Sequence, residues 1–89
     1  MEKLETQYST LINHIKNKDI DETSLRFEIC DLYASTITLC DTNPKLKTKD
    51  IVRVFMISGQ SYGMANDLSD YMYGKKDVSL FDYLHKYTL

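Results

Sequence analysis

The chain contains no tryptophan, one proline, three glycines and two cysteines in 89 residues. So little glycine and proline excludes collagen-like and low-complexity chains. Two cysteines cannot build the disulfide framework of a small secreted domain. Nowhere do some 18 apolar residues follow one another, so nothing reads as a membrane span. A dominant charge is missing as well: 11 Lys and Arg stand against 13 Asp and Glu, for a net charge of −2. That balance gives no global positive field for nucleic acid. Met1, Glu2, Lys3, Leu4 and Glu5 form neither an apolar h-region nor an arginine-rich transit pattern, so no signal peptide is expected. The expected location is the cytoplasm, or a host cytoplasm if a virus encodes the chain. The length suits one domain over residues 1–89.

What is present is helical periodicity. Leu4, Tyr8, Leu11, Ile12 and Ile15 form one stripe over residues 2–17, and Asn17, Lys18 and Asp19 stop it. A second helix is expected over 22–40, with Asp21 as N-cap because a short carboxylate can accept the free amides of a first turn. It carries two apolar rows: Leu25, Ile29, Leu32, Tyr33 and Thr36, then Phe27, Cys30, Ala34 and Ile37. Two rows predict the most buried helix of the fold. Asp41, Thr42, Asn43 and Pro44 mark the clearest break. A third helix is expected over 47–73, with Ile51, Val52, Phe55, Met56, Tyr62, Met64, Leu68, Tyr71 and Met72 as its apolar surface. Gly59 and Gly63 either kink or split it near Gly59, or let another backbone approach. Gly74 is placed for a left-handed C-cap. The fourth helix, 79–87, has Ser79 and Asp82 in capping-box spacing and buries Leu80, Phe81, Leu84 and Tyr87. No stretch alternates long enough for a strand. The expected fold is all-α, a small antiparallel bundle of four helices.

The chemistry-bearing residues do not converge. His14 has no second ligand near it, and no HExxH, CxxC or Cys/His cluster exists, so no metal site and no cofactor is expected. Asp82 and His85, three apart on a helix, suit an ordinary ion pair or hydrogen bond. Gly59, Ser61 and Gly63 match the bare Gly-x-Ser-x-Gly pattern, yet no strand precedes them and the chain is too short for the sheet that pattern needs. Gly74, Lys75 and Lys76 lack the remainder of a phosphate loop. Cys30 and Cys40 lie ten residues, or about 15 Å of helical rise, apart, against the roughly 7 Å that a bridge allows. They are expected as small core side chains in a reducing compartment, with a bridge between chains as the alternative. No catalytic residue is assigned, and the chain is read as a non-enzyme.

Two surface features remain. Seven tyrosines are more than a small core can hold with every hydroxyl paired. The expected protein-binding surface is therefore Tyr71, Tyr73, Tyr83 and Tyr87, with Met72 and Phe81 as neighbours. The expected function is that of an adaptor, inhibitor or regulator binding another protein, with a homodimer as one route. The second feature is basic: Lys45, Lys47, Lys49 and Arg53 could meet phosphates, the basis of an alternative nucleic-acid-binding regulator. Residues 1–44 argue against it, with four positive and eight negative charges. A nucleotide site built from tyrosines and lysines is the further alternative.

Overall fold

Two helices begin where the local chemistry supplies a start. The Asp21 carboxylate accepts the Ser24 amide at 2.7 Å, and α2 (Glu22–Thr42) follows. The Ser79 hydroxyl accepts the Asp82 amide at 3.2 Å, opening α4 (Leu80–Tyr83). With α1 (Glu2–Asn17) and α3 (Thr48–Tyr73) these make four α-helices among the described residues, and a 3-10 turn, His85–Thr88, follows α4. This computed structural model describes residues 2–42, 48–74 and 77–89, without the side chains of Glu2, 40–42, Thr48 and Lys49. Among the described residues there is no strand, and no helix is long and apolar enough to cross a membrane.

The core is a single cluster. Leu4, Leu11 and Ile15 of α1 meet Leu25, Ile29 and Leu32 of α2, Val54, Ile57, Met64 and Leu68 of α3, and Leu80 and Leu84. Side chains recurring every three or four residues share one helical face, so each helix donates one row. Thr36 and Ser61 are buried among them. Each returns its hydroxyl to its own helix, Thr36 to the Tyr33 carbonyl at 2.7 Å and Ser61 to the Ser58 carbonyl at 3.0 Å. Polar pairs pin α1 to the other elements: His14 to Glu28 at 2.8 Å, Arg53 to Glu5 at 2.9 Å and Lys18 to Asp82 at 2.8 Å.

Four expectations are corrected. The second apolar row of α2 is not buried: Phe27, Cys30, Ala34 and Ile37 are all exposed. α2 is flanked by α1 and α3 on one side, and no described element covers its other side. Cys30 is accordingly a free, exposed thiol rather than a core side chain. Of the alternatives open for α3, the split is set aside: it runs as one helix from Thr48 to Tyr73. The last helix is shorter than the expected 79–87, because α4 gives way to the tighter 3-10 turn after Leu84. Gly74 does not take the left-handed conformation, since its amide simply extends the helical bonding to the Asp70 carbonyl at 2.9 Å. The left-handed residue is instead Lys18, at φ 55°, one past α1, its amide bonded to the His14 carbonyl at 2.9 Å.

The two helix-interior glycines differ. A methyl group at Gly63 would sit 2.7 Å from the Tyr87 hydroxyl, whereas at Gly59 it would meet nothing within 4 Å. Gly63 makes room for the Tyr87 side chain, and among the described residues nothing occupies the space beside Gly59.

Urea denaturation of dilute protein checks this contrast. Gly59→Ala is expected to stabilise by about 1 kcal/mol, the ordinary gain in a helix interior. Gly63→Ala should fall short of that by about 1–3 kcal/mol through crowding of Tyr87, and regain much of it with Tyr87→Phe. At the end of α1, Lys18→Gly should exceed Lys18→Ala in stability by about 1 kcal/mol, because only glycine adopts the left-handed region without strain. Equal stabilities would show that residue 18 does not need that conformation.

Candidate functional site

The six residues expected to form a tyrosine-rich contact surface divide into two groups. Tyr71, Phe81, Tyr83 and Tyr87 are half-buried and pack against the core. The Tyr71 hydroxyl donates to the Val78 carbonyl at 3.1 Å, and the Tyr71 and Tyr83 rings sit 5.7 Å apart, tilted by 47°. Tyr87 donates to the Asp67 carboxylate at 2.6 Å. Lys86 reaches the same Asp67 oxygen at 2.9 Å and lies 5.8 and 5.4 Å from the Tyr83 and Tyr87 ring centroids. These rings are therefore engaged in holding the C-terminal segment in place. Met72 and Tyr73 form the other group: they are exposed, Tyr73 by 93%.

Other apolar side chains hold the larger free surface. Phe27 and Phe55 are 65% and 66% exposed, and Ile37, Val52, Met56 and Tyr62 also face solvent. On α2, Phe27, Cys30, Ala34 and Ile37 share the side away from the core. On α3, Val52, Phe55, Met56, Gly59 and Tyr62 do the same. The two rows adjoin: Tyr62 packs 6.0 Å from the Tyr33 ring, and Arg26 donates to the Met72 sulfur at 3.6 Å. A cleft of about 300 Å³ at that end is lined by Arg26, Phe27, Cys30, Leu68 and Met72. The Arg26 Nε is buried there without an acceptor. Periodicity found both rows in the sequence, but gave no sign of which row would lack a neighbour.

The remaining candidates are placed as follows. Lys45 and Lys47 lie outside the described residues, as does the Lys49 side chain. Arg53 is engaged within the molecule, with Glu5 at 2.9 Å, the Met56 sulfur at 3.3 Å and the Tyr8 ring at 5.9 Å. His14 and Glu28 form a pair the sequence reading missed, fourteen residues apart on different helices. Asp82 and His85 do not pair with each other by hydrogen bond: Asp82 takes Lys18, and His85 Nδ1 lies 3.3 Å from the Thr88 hydroxyl. The Lys18 ammonium beside Asp82 lowers its pKa, and the Ser24 amide lowers that of Asp21. Ser61, central to the Gly-x-Ser-x-Gly pattern, is buried with its hydroxyl on a carbonyl and no base. The open cleft of about 680 Å³ between α1 and α2 holds Lys3 and Asp31 over Leu4 and Leu39, and no tyrosine. Among the described residues no three His, Cys, Asp or Glu side chains are grouped to hold a metal ion. No family model, curated protein or solved structure matches the chain.

The Tyr87–Asp67 bond generates a pH prediction. Burial, reinforced by the Asp67 carboxylate, raises the Tyr87 pKa well above its usual value. The folded state then holds the proton to higher pH than the unfolded one. The stability this contributes is full below the unfolded value of about 10 and is lost as pH rises through the higher folded value. Tyr87→Phe should cost about 1 kcal/mol at pH 7 and flatten the alkaline loss in a urea series from pH 8 to 11. An unchanged alkaline slope would show that another group governs it.

Proposed function

We propose that the chain is a non-enzymatic helical protein that acts by binding protein, as an adaptor, inhibitor or regulator, and that the outer face of α2 and α3 is its contact surface. The observation that carries this reading is the double row of large apolar side chains facing solvent from Phe27 to Ile37 and from Val52 to Tyr62. Single exposed apolar residues are ordinary, but a contiguous patch has a free-energy reason to be covered. Met72 and Tyr73 extend the surface. Tyr71, Tyr83 and Tyr87 serve it indirectly by closing the core on the opposite side. An antiparallel four-helix arrangement belongs to this reading: α2 and α3 are its exposed pair, and α1 with the C-terminal segment their support.

Aromatic and sulfur-bearing side chains suit such a role. They offer large contact area for few rotatable bonds, or adapt to irregular partners. The face offers no acid–base pair and no nucleophile beside a base, which favours binding over catalysis.

A photo-reactive phenylalanine analogue at position 27 or 55, expressed in cells, tests the assignment against the same group at Asn13 or Lys16 on α1. Covalent protein adducts are expected from 27 and 55 and not from 13 and 16. Equal yields from both faces, or none from either, would overturn it.

A further inference from the structure

We infer that the occupant of the α2–α3 face is a second copy of this chain, crossing at Gly59. The inference rests on the protein-binding reading and names the partner. Three observations carry it.

The first is charge. In a two-fold pair each face meets itself, so a face with net charge repels its own copy. Within residues 27–37 and 52–62 the acidic and basic residues are Glu28, Asp31 and Arg53. All three turn toward α1: Glu28 to His14, Arg53 to Glu5, and Asp31 into the clefts with Gln7. Within these bounds the outer rows carry no charged side chain, and the flanking charges are Arg26, beside Met72, and the exposed Asp70. The centre of the face, around Gly59, therefore sets no charge against its own copy, and residues 54–62 hold no acidic or basic side chain for a charged partner.

The second is area. Covering aromatic side chains buries 150–250 Å² each, so the exposed parts of Phe27, Phe55, Tyr62, Met72 and Val52 amount to roughly 600 Å² per protomer. Two such faces together reach about 1,200 Å², where specific interfaces begin.

The third is Gly59. It lies mid-row, one turn from Phe55 and Tyr62, with nothing within 4 Å of where a methyl would stand. A glycine in a helix interior is a cost the protomer does not need. It allows the close approach of another backbone. Helices pack at 8–10 Å between axes according to the side chains at the contact, and two glycines face to face give the near end of that range. Phe55 and Tyr62 then flank the crossing on either side.

Sedimentation equilibrium of the purified chain, from micromolar to millimolar, is the test. The wild type is expected to dimerise with a micromolar Kd. Gly59→Ala should raise that Kd about tenfold, although the same change makes the isolated protomer more stable. Gly59→Arg should be monomeric throughout with its helical circular dichroism intact, and Asn13→Arg on α1 should leave the dimer unchanged. A wild type that stays monomeric at millimolar concentration overturns the inference, as does a dimer whose Kd ignores both Gly59 variants. A monomer that still yields adducts to other proteins from positions 27 and 55 rejects only the second copy and leaves the binding face standing. A monomer without adducts rejects both.

Discussion

The fold depends on how its C-terminal ten residues are held. Leu80 and Leu84 are fully buried, yet they stand on one turn of α-helix and one of 3-10 helix, too short to be stable alone. Tyr87 fixes them. Its ring lies over Gly63, its hydroxyl is bonded to Asp67, and Lys86 reaches the same carboxylate. The clamp works because Gly63 lacks a side chain and because Asp67 stands four residues on, one turn along the same helix. Without it the core would be open opposite α2.

That closure determines what stays uncovered. A chain of this size has few elements with which to surround its helices, and small domains leave a large share of their surface exposed. Here α1 and the C-terminal segment occupy one side of the α2–α3 pair. Phe27, Ile37, Val52, Phe55 and Tyr62 are the apolar side chains left over on the other. The uncovered face is thus a result of element count as much as of composition.

Much of the architecture was legible in the sequence. The Asp21 and Ser79 caps, the stripe of α1 and the inner row of α2 follow from spacing and side-chain chemistry. The tyrosine excess was legible as an excess but not in its location. Hydroxyl partners such as Asp67 and the Val78 carbonyl lie 20 and 7 residues away from Tyr87 and Tyr71, and only the fold brings them together. The His14–Glu28 pair was hidden for the same reason. For α2 and α3, periodicity defines rows but is silent on which row has a neighbour. The outer rows were therefore read as core when they are surface. Lys18 was unreadable in another sense: its left-handed backbone is set by the connection between α1 and α2, and lysine carries no propensity for it.

The buried hydroxyls of Thr36 and Ser61 have one more consequence. Each is spent on a carbonyl of its own helix, so neither ties α2 to α3. What ties α2 to α3 beside the shared core is the Arg26 hydrogen bond to the Met72 sulfur and the tilted Tyr33–Tyr62 ring pair. α1, by contrast, is tethered through His14, Lys18 and Glu5. The ionic braces thus gather on the α1 side, and the side that bears the outward-facing aromatic rings is held by apolar packing and by these two contacts.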